Sequence, residues 1–180
     1  MHFKNQAKKA TQAVARLIKQ SGAPIDYLRL SKLVYLADRQ SIITRGIPIV
    51  GGHYFSMWKG PTIGEVMDFV NQRNAPQWKE MISVRFGNEI RLRGTPCFEA
   101  LSQSELNILD LVVSEHAERT TDELVDWCHA NCPEYEQVSK GKRKPIELES
   151  ILKAAKKGTK QIQKVLQEAV ELQEMDKLLA

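Results

Sequence analysis

The sequence has few cysteines and no long apolar run, and both absences narrow the class of protein. Its 180 residues include three cysteines, Cys97, Cys128 and Cys132, a small and odd number that argues against a disulfide-stapled secreted scaffold. No apolar stretch approaches the roughly 18 residues that a membrane-spanning helix needs. Residues 1–13 are polar and basic, so we expect no secretory signal. We therefore predict a cytoplasmic chain with one domain, or one domain with an appended element.

The chain also lacks the short motifs that mark common enzymes. It contains no phosphate loop, GxGxxG, HExxH, GxSxG or paired CxxC. The best metal-ligand candidate is Cys128-His129-x-x-Cys132, but structural zinc needs four ligands and this spacing supplies one pair. Asp38 has no accompanying nucleophile or oxyanion donors, so a helix-end ion pair or a buried carboxylate is the simpler interpretation. We predict no catalytic, metal or cofactor site.

Apolar periodicity predicts an α+β fold that is mainly α. Asp26 is a candidate N-cap for a central helix that Gly46 ends. Three capping boxes, each a Ser or Thr followed three residues later by Glu, start at Thr62, Ser102 and Thr120. The predicted helices span about 5–20, 27–44, 62–73, 102–117, 120–131 and 146–179.

Alternating residues predict a small antiparallel sheet built from one strand and one hairpin. The strand covers 53–59, with Phe55 and Met57 facing the core, and the Gly60-Pro61 pair ends it. The hairpin covers 80–93. Matching its apolar faces places Phe86 opposite Ile90 across a three-residue loop or a bulge.

Three segments in a fixed order carry a family resemblance. They are Lys32-Leu33-Val34-Tyr35-Leu36-Ala37-Asp38, then Gly46-Ile47-Pro48-Ile49, then the aromatic run Tyr54 to Lys59 ending in Gly60-Pro61. This order resembles the Panacea, or SocA-like, antitoxin domain family. The resemblance implies a small bacterial or phage protein that neutralises a co-encoded toxin by binding it. It also implies that some relatives act as adaptors that deliver their toxin to an ATP-dependent protease.

Toxin binding needs anchor residues on a rigid surface, and the aromatic strand offers candidates. Tyr54 and Trp58 share one face of the strand, so the two rings could form a patch with Arg39, Lys59 and Pro61. The competing interpretation is that both rings belong to the core, because aromatic residues on strands are often packed. Both interpretations stay open at this point.

The C-terminal helix carries a heptad seam, in which Gly158 is a candidate break. Its members are Ile151, Ala155, Gly158, Ile162, Val165, Ala169 and Leu172. The seam either packs on its own domain or binds a partner, and that partner is a toxin or a second copy in a homodimer. On the partner-facing interpretation, Ile162, Val165 and Leu172 are the contact residues.

Charge is concentrated next to this seam. Residues 140–164 carry nine basic and two acidic side chains, whereas residues 1–139 are neutral overall, with 16 of each. Residues 165–180 carry one basic and four acidic side chains. The basic cluster at the start of the segment is a solvated loop, a phosphate-binding site or a grip on an acidic toxin surface. Its members are Lys140, Lys142, Arg143 and Lys144.

These patterns predict a Panacea-like domain over 1–138 and a basic loop with a helical extension over 139–180. The favoured function is an antitoxin that binds a cognate protein toxin, without enzymatic activity. The alternatives are a nucleic-acid-associated regulator that uses residues 140–164, and an adaptor that delivers a toxin to an ATP-dependent protease. No membrane partner is expected.

Overall fold

The structure is a computed structural model that describes residues 2–3, 6–22, 24–70, 76–84 and 88–178. Its helices are α1 (Ala7–Ser21), α2 (Tyr27–Arg45), α3 (Gly64–Val70), α4 (Pro76–Met81), α5 (Gln103–Glu115), α6 (Thr121–Asn131), α7 (Leu148–Ala154) and α8 (Thr159–Leu178). Its strands are β1 (Ile25–Asp26), β2 (Tyr54–Met57), β3 (Gly60–Ile63), β4 (Ile82–Val84), β5 (Glu89–Leu92) and β6 (Arg143–Ile146). The predicted α+β, mainly α class is confirmed.

Helix α2 forms the centre of the core, as its apolar sequence predicts. Asp26 caps its first turn by accepting hydrogen bonds from the amides of Leu28 and Arg29. Gly46 ends it in the left-handed conformation, and its amide donates to the Ile42 carbonyl. Helices α1, α5, α6 and α7 pack around α2, so its buried face is nearly continuous. Both predicted ends of this helix are confirmed.

The strands form two separate sheets, and the prediction of one sheet is wrong. The first has the order β1-β5-β4 and the second β3-β2-β6, with all pairs antiparallel. The 143–146 segment, predicted to lie mostly in a loop, is a strand on β2, with Tyr54 opposite Ile146. The single-sheet prediction failed because β2 pairs with β3 and β6, whereas the hairpin pairs with β1, and none of β1, β3 and β6 was predicted as a strand.

The 80–93 hairpin is present in a different register from the one predicted. Val84 lies opposite Ile90, and Ile82 lies opposite Leu92. The predicted partner, Phe86, lies outside the described residues. The observed register shifts the pairing by two positions, which keeps the apolar residues on one face, because side chains alternate with a period of two.

Two of the three capping boxes form as predicted. Ser102 and Thr120 accept from the amides of Glu105 and Glu123, whose carboxylates reach back to the cap amides. Thr62 does not cap a helix, because it lies in β3, and α3 begins at Gly64. Glu65 binds the His53 amide and ring instead. The motif failed at Thr62 because pairing with β2 continues through Ile63, so α3 begins at Gly64, one residue too late for Thr62 to be its N-cap.

The C-terminal segment packs onto the domain as two helices with a turn between them. Residues 155–158 separate α7 from α8, and Lys156 adopts a positive φ of 56° there, so the predicted break near Gly158 is confirmed. Ile151, a residue of α7, is fully buried. Of the helices in the described part of the chain, none is both long enough and apolar enough to cross a bilayer.

Candidate partner-binding surface

Asp38, the last residue of the signature on α2, is a buried carboxylate that holds the following loop. It accepts hydrogen bonds from the amides of Ile49, Val50 and Gly51 at 2.9, 2.7 and 2.8 Å. The Tyr54 hydroxyl donates a fourth at 2.9 Å. Burial raises the pKa of Asp38 to about 6, against the effect of these hydrogen bonds. Asp38 therefore fastens the loop and β2 to the central helix.

Tyr35, one turn earlier on α2, fastens the segment that follows α6. Its hydroxyl donates to Glu134 Oε1 at 2.6 Å. Arg39 binds the same carboxylate through Nε, also at 2.6 Å. Burial raises the pKa of Tyr35 well above its ordinary value, and the Glu134 carboxylate adds to that rise. The predicted contact residue Arg39 is therefore engaged within its own chain.

Lys32, one further turn back, is a buried lysine beneath β3. It is 2% exposed, and its Nζ donates to the Pro61 carbonyl at 2.7 Å. Burial lowers the pKa of Lys32 to about 8, and the nearby thiols of Cys128 and Cys132 oppose that change. Lys32 therefore holds the hairpin of β2 and β3 against α2.

We call Lys32, Tyr35, Asp38 and their partners the signature network. The three residues are three positions apart on α2, so one helix face presents them together. Each binds a segment distant in sequence, namely β3, the chain after α6, and the loop before β2. The signature residues therefore build a rigid framework.

The turn of the β2–β3 hairpin lies beside this framework and carries an exposed aromatic ring. Trp58 and Lys59 form a two-residue turn, because Met57 pairs directly with Gly60. Gly60 has a φ of +96°, and a Cβ there would lie 3.3 Å from His129 Nε2. The Tyr135 hydroxyl donates to the Met57 carbonyl at 3.1 Å. The backbone of the turn is thus held in place by the Tyr135 hydrogen bond and by close packing at Gly60.

The Trp58 ring is 43% exposed and is flanked by two lysines. The Nζ atoms of Lys59 and Lys140 lie 5.1 and 5.6 Å from the ring centre, within the range of cation–π attraction. Lys59 Nζ also lies 3.9 Å from an Asp122 carboxylate oxygen. The Trp58 ring is therefore an exposed aromatic surface with positive charge beside it.

A groove of about 220 Å³ opens beside this turn, and we call it the tip groove. Its apolar lining includes Tyr27, Leu28, Met57, Trp58 and Met67. Three buried polar residues, Ser31, Lys32 and Thr62, form its floor, and the Ser31 hydroxyl donates to the Leu28 carbonyl. Among the described residues, Thr62 Oγ1 has no hydrogen-bond partner. Sequence reasoning did not identify this groove, because its walls come from α2, the hairpin, α3 and the 140–141 loop.

The residues of the patch proposed from strand alternation do not share one surface in the structure. Tyr54 is 2% exposed and Pro61 is buried, so neither lies on the surface beside Trp58. The prediction that Phe55 and Met57 face the core is wrong, because both are half-buried and Tyr54 faces inward. Alternation failed because β2 ends at Met57, and Trp58 belongs to the turn.

The basic cluster is exposed, and much of it already has partners. Arg143 lies over the Phe55 ring at 4.6 Å, and Lys144 pairs with Glu136. Lys140 lies against Trp58 and lines the tip groove. Lys142 is exposed in the turn before β6. The structure thus brings Lys140 to the Trp58 surface and places Arg143 against the Phe55 ring.

The heptad seam of α8 is largely used within the chain. Ile162 and Val165 are 7% and 6% exposed, and Ala169 is fully buried. Leu172 is 43% exposed, so it is the one member of the predicted contact set on α8 that is available to a partner. The apolar stripe predicted α8 correctly from Ile162 onward, but Ala155 and Gly158 lie in the turn before α8, so the seam is not continuous.

The predicted metal-ligand candidates lie at the end of α6. Cys128 and Cys132 are buried, and the His129 ring stacks on Tyr135 at 4.6 Å. Among the residues that the structure describes, no three His, Cys, Asp or Glu side chains are grouped so as to hold a metal ion.

A comparison with known protein families shows which family has this framework. The family described as antitoxin SocA-like, Panacea domain, matches residues 30–135, which is more than half of the chain. The match begins within α2 and ends just after Glu134, so it spans the segments that the signature network joins. The chain belongs to the SocA-like Panacea antitoxin domain family. Searches of curated proteins and of solved structures each returned no match.

Proposed function

We propose that this chain is an antitoxin that neutralises a co-encoded toxin by binding it directly, without a chemical step. The observation that carries the proposal is the exposed Trp58 on a fixed turn beside the family framework. Membership of an antitoxin family supports the class of function. Affinity alone is sufficient for neutralisation, so the absence of recognised catalytic motifs in the sequence is compatible with it.

The energetics of the Trp58 surface favour recognition. Tryptophan is enriched among interface anchors, and a buried anchor contributes about 2 kcal/mol or more to binding. The turn is held by Tyr135 and by the short β2–β3 pairing, so little ordering of the backbone opposes association. Lys59 and Lys140 add positive charge at the rim, which accelerates encounter with an acidic surface.

A co-expression experiment with the product of the adjacent gene tests the proposal. Trp58→Ala is compared with Leu111→Ala, since Leu111 is 44% exposed on α5 and is matched to Trp58 in exposure. We expect Trp58→Ala to lose growth rescue and co-purification of the toxin while its thermal transition stays unchanged. Leu111→Ala should retain both activities.

The same experiment distinguishes the alternatives. Full rescue by Trp58→Ala would contradict binding through this surface. Rescue that requires an intact ATP-dependent protease, with toxin disappearing from the cell, would favour an adaptor. Binding to duplex DNA that weakens steeply with added salt would favour a nucleic-acid regulator.

A further inference from the structure

We propose that the tip groove receives an acidic side chain on an apolar segment of the protein partner, with its carboxylate bound at the floor by Lys32 and Thr62. This inference rests on the proposed function, because it names the chemistry that the same surface recognises. It is argued from three features of the groove: its walls, its floor and its rim.

The walls select an apolar segment. Tyr27, Leu28, Met57 and Met67 contribute largely apolar surface to the groove. Methionine side chains adapt to the shape of an apolar partner, because they are unbranched and polarisable. A hydrated inorganic anion or a phosphate backbone would gain little from such walls, whereas a leucine or phenylalanine side chain would bury apolar area there.

The floor selects a carboxylate. Within the described part of the chain, Nζ of Lys32 has the Pro61 carbonyl as its one hydrogen-bond acceptor, although an ammonium carries three donors. Thr62 is 3% exposed, and among the described residues its hydroxyl has no partner. Buried polar groups in folded proteins are normally satisfied. A carboxylate would accept from both groups at once.

The rim supplies charge complementarity. Lys59 and Lys140 flank the Trp58 ring at the mouth of the groove. Among the described residues, Lys32 and Lys140 have no carboxylate within 4.0 Å, and Lys59 has only the distant Asp122. Three cations thus surround one apolar groove, which favours a negatively charged occupant over a neutral one.

Two capped tripeptides test the inference, acetyl-Leu-Glu-Phe-amide and acetyl-Leu-Gln-Phe-amide. The readout is the indole N–H resonance of Trp58 during titration of the isotope-labelled full chain. We expect saturable binding, with the Glu peptide at least about fivefold tighter than the Gln peptide, because the two differ only in charge at the floor. A ten-nucleotide oligothymidylate serves as the nucleic-acid probe.

Thr62→Val is the decisive variant, because its hydroxyl has no partner in the described free chain. If Thr62 serves only the fold, the substitution should leave stability unchanged or raise it, and it should leave peptide binding unchanged. Our proposal predicts that the preference for the Glu peptide falls at least about threefold, as expected for losing one charge-assisted hydrogen bond. Thr44→Val, at the far exposed end of α2, is the matched control and should leave the preference intact. Lys32→Met should abolish it.

Four outcomes would overturn the inference. They are equal affinity for the two peptides, no binding of either, preferential binding of the oligonucleotide, and loss of the Trp58 signal through self-association as the chain is concentrated. Failure here is separable from failure of the proposed function, because toxin rescue by the wild type and its loss in Trp58→Ala are measured independently of the peptides.

Discussion

The signature network and the tip groove share Lys32, yet the surroundings of Asp38 and those of Thr62 treat polar groups in opposite ways. Around Asp38, four donors converge on one carboxylate, and the group is fully buried. At the tip groove, the Thr62 hydroxyl is unpartnered among the described residues, and Trp58 remains exposed. The Asp38 carboxylate is thus surrounded by donors, whereas the groove leaves donors available. On the proposed function, stability and recognition are thus assigned to different residues.

This difference indicates that the family motif encodes the framework of the fold. The conspicuous residues Tyr35 and Asp38 position segments of the fold and are inaccessible to a partner. A surface that binds a toxin must instead be built from residues beside the motif, where substitution does not disturb the framework. Lys32 belongs to both regions, because it holds β3 and also lines the groove.

The largest expected effect comes from Asp38→Ala. Removing the carboxylate leaves three buried amides and a tyrosine hydroxyl without their acceptor, and we expect a loss of more than about 4 kcal/mol in the free energy of unfolding. Urea denaturation measures it. Asp126→Ala, at an exposed position on α6, is the matched control and should change stability little. Similar stability of the two variants would contradict the framework role.

The second expected effect is a pH dependence that Lys32 causes. Its pKa is about 8 in the folded chain against an ordinary value of 10.5, so the unfolded chain binds this proton more tightly. The resulting stability is therefore present above pH 10.5 and is lost as pH falls through 8. We expect a difference on the order of 2 kcal/mol across that window.

The comparison of wild type with Lys32→Met isolates this contribution, because tyrosines titrate in both proteins. Urea denaturation at several pH values from 7 to 11 gives the difference curve. A flat difference curve would show that Lys32 titrates normally in the folded chain, and so is not buried as the structure places it.

A smaller effect is expected from Tyr35→Phe. The substitution removes the hydroxyl bond to Glu134, but Arg39 continues to pair with that carboxylate. We expect a loss of about 1–2 kcal/mol, typical of a hydrogen bond to a charged group. A double-mutant cycle with Arg39→Met measures the coupling between the two contacts. Zero coupling would mean that the two side chains do not share Glu134.

The smallest effect on stability is expected from Lys140→Ala at the rim. Lys140 is exposed, so the free energy of unfolding should change by less than about 0.5 kcal/mol. Toxin association should slow about two- to fivefold at low salt and recover at high salt, because the contribution is screened. Lys153→Ala, which replaces an exposed lysine on α7, should slow it less. Equal slowing by both substitutions would mean that association depends on the overall positive charge of the chain and not on the position of Lys140 at the rim.

Helix ends with local chemistry could be predicted from the sequence. Asp26, Gly46, Ser102 and Thr120 each act where their residue type suggests, because caps depend on neighbours within four positions. Thr62 carries the same signature and fails, since its backbone is committed to the pairing with β2. Asp26 is also paired in a strand, but that strand ends at Asp26, so the cap can form there; the strand that contains Thr62 continues to Ile63.

The candidate site was predicted only in part. Trp58 and Lys59 were identified by residue type, and their exposure agrees with a surface role, although nothing yet tests their binding. Tyr54 was placed with them because the strand was assumed to continue through Trp58. The groove floor could not be predicted, because Lys32 and Thr62 come to line one groove only after α2 and β3 pack together.

Hydrogen exchange on the toxin complex tests the central claim most directly. If the framework is complete before binding and recognition lies at the turn, backbone amides of residues 57–60 and 139–142 gain protection in the complex. The amides of Ile49, Val50 and Gly51 should be protected equally with and without toxin. New protection at those three amides, with none at the turn, would contradict the account.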